Sequence, residues 1–149
     1  MFKLSTSDRL DRWKQFRLEI SNQSLEDAVH SVQSFWQSCP FIPFYLMPED
    51  NTNWPDPWEL ITENYYCDLA KTLGMLYTIH LTSHSKDINP EIRVYYDAKK
   101  RFDYHIAYLC QGKYVLNLVE GEVVNKQQIN QQLKLRYCYT AADLKLEQY

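Results

Sequence analysis

Hydrophobic residues recur at two different periods along this chain, and the change of period divides it. Between Ser7 and Ile20, the positions Leu10, Trp13, Phe16, Arg17 and Ile20 fall at helical spacing and make one buried stripe. Ser5 or Ser7 can cap this helix, and Asp8 and Asp11 suit its positive end. Ser21-Asn22-Gln23 interrupts the pattern. Ser24-Leu25-Glu26-Asp27 then resembles a capping box with Asp27 in place of the usual glutamate. A second helix to about Gln37 places Leu25, Ala28, Val29, Val32, Phe35 and Trp36 on one side. Together, residues 1–38 read as an α-hairpin that lies over a core.

Residues 39–56 break the period. Pro40, Pro43, Pro48 and Pro55, with Pro57 just beyond, exclude regular helix. Phe41, Ile42, Phe44, Tyr45, Leu46 and Met47 are nevertheless apolar. The segment reads as a rigid extended arm packed on the domain, with a docking arm for a partner as the alternative. Helical spacing then resumes over 57–83, the central helix of the chain. Asp56-Pro57 places an acid at the cap and proline at the first helical position. Trp58, Ile61, Tyr65, Leu69, Leu73, Leu76 and His80 fit one continuous face. Asn64 is also a good cap, so a short helix over 57–63 and a new one from about Tyr65 fit equally well. In the second arrangement Cys67 lies in a first helical turn.

Beyond Pro90 the period becomes two. Ile92–Tyr96 is a strand, Asp97–Arg101 a charged turn, and Phe102–Cys110 a second strand. The latter puts Phe102, Tyr104, Ile106, Tyr108 and Cys110 on one face, and Asp103, His105, Ala107 and Leu109 on the other. Gln111-Gly112 predicts a tight hairpin into a strand over Lys113–Val119, and Glu120-Gly121 a turn into Glu122-Val123-Val124. Asn125–Leu133 reads as a short polar helix and Lys134–Thr140 as one more strand. Residues 91–140 therefore form an antiparallel meander with a short helix. The predicted fold class is α+β: an α-hairpin and a central helix packed on a three- to five-stranded antiparallel sheet, in a single domain spanning 1–149.

Composition narrows the function classes. The 149 residues are 45% hydrophobic and 15% aromatic, with 12 tyrosines, which excludes a disordered chain. A net charge of −3 with interspersed signs gives no electrostatic footprint for nucleic acid. No apolar run reaches the length of a membrane span, and Met1–Trp13 lacks the apolar core of a secretory signal. A cytoplasmic protein is expected, or a component assembled into a larger particle. Cys39, Cys67, Cys110 and Cys138 are far apart and read as reduced thiols. Neither they nor His30, His80, His84 and His105 show metal-ligand spacing, so no metal and no cofactor are expected.

The candidate chemistry lies in Cys67-Asp68-Leu69-Ala70-Lys71-Thr72-Leu73 and in two later strands. These are Asp103-Tyr104-His105-Ile106-Ala107-Tyr108-Leu109 and, after the hairpin glycine, Gly112-Lys113-Tyr114-Val115-Leu116-Asn117. A cysteine on the central helix, a histidine strand and a glycine hairpin leading to a third polar residue resemble the transglutaminase-like branch of the papain-like superfamily. That resemblance covers roughly 64–119. It implies a peptidase, amidase or acyl transferase acting on a peptide or protein, with Cys67 as nucleophile, His105 as base and Asn117 as the orienting third residue. Asp103, on the face of His105, is a second candidate for that last role. The sequence departs from the family in having Tyr65-Tyr66 before the cysteine and an acid after it. Asp68 beside the thiol opposes thiolate formation. The alternative function is a catalytically inactive member of the same architecture serving in an assembly through the Phe41–Met47 arm. A fainter likeness to small proteins of tailed phages would make that assembly a virion.

Overall fold

The computed structural model describes all 149 residues. Four helices and a five-stranded antiparallel sheet enclose the main core: α1 (Thr6–Ser21), α2 (Leu25–Gln37), α3 (Pro57–Ile61), α4 (Asp68–His80), β1 (Glu91–Asp97), β2 (Phe102–Leu109), β3 (Tyr114–Val119), β4 (Glu122–Val124) and β5 (Lys134–Thr140). The strand order is β4-β3-β2-β1-β5, so four strands follow as a meander and the last crosses to pair with β1. No helix is long and apolar enough to cross a membrane.

Local signals account for the helix starts. Ser5 accepts the Asp8 N–H, Ser24 that of Asp27 and Asp56 that of Glu59, each closing a helix N-terminus. On α1 and α2, Trp13, Phe16, Ile20, Val29, Val32 and Trp36 are buried against α4. The α2–α4 approach is close: a Cβ on Gly74 would overlap the Trp36 ring. The indole N–H groups of Trp13 and Trp36 each donate to Thr78 Oγ1 at 3.0 Å, which ties α1, α2 and α4 at one buried atom.

Residues 57–83 are not one helix. α3 ends at Ile61 and α4 begins at Asp68. The break has a tertiary cause. Arg9 on α1 reaches the last carbonyls of α3 and its exit, donating to Ile61 O at 3.3 Å and Glu63 O at 2.6 Å. The buried Tyr66 hydroxyl approaches Leu60 O at 2.9 Å and Ile61 O at 3.2 Å. Meanwhile the arm pulls Tyr66 into a parallel bridge with Phe41: Tyr66 N–H donates to Pro40 O (2.7 Å) and Ile42 N–H to Tyr66 O (3.1 Å). Carbonyls claimed by side chains satisfy the helix end, and an extended Tyr66 forces a fresh start.

The sheet has two covered faces. Ile92, Ala107, Leu109, Tyr114 and Leu116 join the helical core, while Tyr95, Ile106, Tyr108, Val115 and Val124 form a smaller cluster on the far side. The second strand stops at Leu109, not Cys110, because Cys110, Gln111 and Gly112 all adopt positive φ (53°, 54° and 92°). The expected polar helix over 125–133 shrinks to a 3₁₀ turn at Lys126–Gln128. Ile129 and Leu133 are drawn onto the far-side cluster, and Asn130 Oδ1 accepts the Gln132 N–H in a local turn that competes with helix.

Candidate active site

Cys67 is the N-cap of α4, in extended conformation (φ −79°, ψ 172°), and its side chain makes no capping hydrogen bond. The thiol therefore stands at the N-terminal end of a thirteen-residue helix. The residue is only 1% exposed. It borders a cleft of about 450 Å³ that His105 and Asp68 also line. Cys67 and His105 thus meet at one cleft.

The histidine's ring partner is not the residue that the sequence suggested. His105 Nδ1 lies 2.8 Å from Asp68 Oδ2, with the two side chains 14% and 33% exposed. Asn117 does not line the cleft and makes no hydrogen bond to the ring. Its Nδ2 group donates to Asp68 Oδ1 (3.0 Å), Thr72 Oγ1 (2.8 Å) and the His105 carbonyl (3.2 Å). Thr72, one turn along from Asp68, donates in turn to that carbonyl at 2.7 Å. Asp103 is committed elsewhere: Arg136 on β5 holds both its oxygens, at 3.1 and 3.2 Å.

Asn117 reaches this position through a backbone irregularity. Along β3, Tyr114 and Leu116 face the helical core, and Val115 and Leu118 the far-side cluster. Strict alternation would put Asn117 on the far side too. Instead its φ is +66°, where the β3–β4 register shifts, and its side chain turns toward α4. Asparagine tolerates this left-handed conformation better than most residues. Its N–H, lost to the ladder, donates to Oε1 of the buried Gln33 on α2 at 3.0 Å. Gln33, Asn117, Asp68 and His105 make one chain of hydrogen bonds through α2, β3, α4 and β2.

Sequence reasoning assigned Asp68 only a like-charge penalty on the thiol and passed over Gln33 and Thr72. The i, i+4 spacing of Asp68 and Thr72 on a helix start was a usable signal for that pair. Nothing local marked Gln33. The other thiols are poor nucleophiles by environment. Burial raises Cys39 to about 11 despite the nearby Lys71. Burial likewise raises Cys110 and Cys138, the latter also through its contact with Glu91. No group of three or more His, Cys, Asp or Glu side chains converges to hold a metal ion.

This α+β architecture, four helices on a five-stranded antiparallel sheet, is one that solved structures share. The chain is structurally similar to LapG of Legionella pneumophila. The calcium-bound form superposes with a TM-score of 0.71 at 13% identity, over 93% of this chain and 78% of that one. Two further structures of LapG, one of them EGTA-treated, give 0.68 and 0.67 over 91% of this chain, again at 13% identity. No protein-family profile and no curated protein matches the sequence.

Proposed function

We propose that the protein is a cysteine-dependent hydrolase or acyl transferase acting on peptide or protein substrates. Cys67 is the nucleophile, His105 the general base and acid, Asp68 the group that orients the imidazole, and Asn117 the residue that fixes Asp68. The single observation that carries this reading is the 2.8 Å contact of Asp68 with His105 Nδ1, beside a helix-capping cysteine on a shared cleft. With Nδ1–H donated to the carboxylate, Nε2 is left unprotonated to take the thiol proton. The thiolate then attacks the substrate carbonyl, forming the S–C bond. Collapse of the tetrahedral adduct breaks the C–N bond, and the His105 proton leaves with the amine. Water or a primary amine, deprotonated by the same base, then attacks the thioester; the C–S bond breaks, Cys67 leaves and recovers the proton from His105, and the product is a carboxylic acid or a new amide. The α4 N-terminus, with no side-chain cap, offers backbone N–H groups to the oxyanion.

Alkylation tests it. With iodoacetamide at pH 7, peptide mapping is expected to show Cys67 modified at least tenfold faster than Cys39, Cys110 or Cys138, with the advantage lost in His105→Ala. Equal slow labelling of all four thiols overturns the assignment. The near-complete burial of Cys67 and the exposed apolar arm favour a second reading, an inactive fold serving as a structural component, in the cytoplasm or a virion. Sluggish Cys67 together with stable self-association is the outcome that reading requires.

A further inference from the structure

The arm over residues 41–49 combines a fixed backbone with outward-facing apolar side chains. Its backbone is tied near both ends. Phe41 bridges to Tyr66, the Met47 carbonyl accepts the Trp54 indole N–H at 3.0 Å, and the Pro48 carbonyl accepts the Tyr139 hydroxyl. Only Leu46 of its large apolar residues is buried. Phe41 and Phe44 are 67% and 71% exposed, and Met47 is exposed beside them. All three line the cleft that holds Cys67 and His105, and Phe102, also exposed, lines it from the first residue of β2. Several large apolar side chains left in water around one reactive centre mark a surface that expects an apolar occupant.

The cleft's charged side chains are of both signs and nearly balance, so no array of one sign marks it for a charged group. Arg101 and Arg136 are offset by Glu49 and Asp103, with Arg136 bonded to Asp103, and Asp68 is engaged by His105 and Asn117. The structure assigns this cleft a substrate class: peptides with a bulky, uncharged apolar side chain next to the carbonyl that Cys67 attacks. Phe44 and Phe102 are the specificity-determining residues. The inference rests on the acyl-transfer reading for its chemistry, but recognition is separable from turnover.

The test uses peptidyl coumarinamides that differ only at the residue bearing the scissile carbonyl: Phe, Leu, Ala, Glu or Lys. Wild-type protein is expected to favour Phe and Leu over Ala at least tenfold in kcat/KM, and over Glu and Lys by more. Phe44→Ser and Phe102→Ser, at exposed positions, are expected to shrink the Phe-to-Ala ratio below threefold. Leu18→Ser, on the exposed side of α1, leaves the ratio unchanged. Turnover without preference, or a preference that survives both substitutions, overturns the inference and leaves the catalytic reading standing. If nothing turns over, binding of the same peptides, fluorescein-labelled, is read by anisotropy on wild type and Cys67→Ala. A Phe-over-Ala preference lost in Phe44→Ser then supports recognition and removes catalysis. Absence of binding overturns the inference.

Discussion

Replacing Asp68 by asparagine changes one oxygen for an amide nitrogen at the centre of the network, and the geometry leaves the new side chain no good orientation. If its NH₂ faces His105 Nδ1, that nitrogen must accept, the proton moves to Nε2, and the ring no longer takes a proton from Cys67. If its carbonyl faces His105, the NH₂ meets Asn117 Nδ2, which in the native protein donates to Asp68 Oδ1 at 3.0 Å, and two donors confront each other. Either orientation sacrifices a charge-assisted hydrogen bond of 2.8 Å between partly buried groups. Such bonds contribute about 1.5–3 kcal/mol, roughly a 10- to 150-fold change in rate. The expected result is a fall of that size in the second-order rate of Cys67 alkylation at pH 7, with the thermal midpoint lowered by several degrees because the same bond is lost from the folded state. A double variant, Asp68→Asn with His105→Ala, should be no slower than His105→Ala alone, because residues acting as a unit are not additive. Alkylation unaffected by Asp68→Asn, or losses that simply multiply in the double variant, would refute the assignment of Asp68 as the orienting group.

Two further predictions concern stability. Thr78→Val keeps the shape of a fully buried side chain but strands the indole N–H groups of Trp13 and Trp36. Chemical denaturation should report a loss of about 2–6 kcal/mol, at roughly 1–3 kcal/mol per orphaned donor. The Cys39 thiol is raised by burial from 9.0 to about 11, so the unfolded chain ionises first as pH rises. Its contribution is present below pH 9 and disappears between pH 9 and 11. After discounting for its partial exposure, this amounts to about 1–2 kcal/mol, and a Cys39→Ala variant should show that much less alkaline destabilisation than wild type.

Much of the fold was legible because its signals are local. Ser5, Ser24 and Asp56 mark helix starts within three residues of the groups they bind, and the alternation of β2 correctly divides His105 and Ala107 from Ile106 and Tyr108. The features that shape the site depend on residues far away in sequence. The chain breaks before Cys67 because Arg9 and the arm claim its backbone groups, and Asn117 turns inward where Gln33, 84 positions earlier, accepts its N–H. The break was legible only as one of two arrangements, through the capping propensity of Asn64, and the inward turn of Asn117 left no trace in the spacing. The role of Asp68 was hidden differently. Adjacency in sequence suggested that its charge acts on the thiol, whereas in space the carboxylate is spoken for by an imidazole and an amide.

The two backbone hydrogen bonds that clamp Tyr66 to the arm have a mechanical consequence. Tyr66 is covalently the next residue before Cys67, so the arm and the cysteine are coupled through a single peptide plane. A displacement of Pro40–Ile42 would bear directly on the residue before α4, while the helix itself is anchored by the two tryptophans at Thr78. The arm and the cysteine thus share one stretch of hydrogen-bonded backbone.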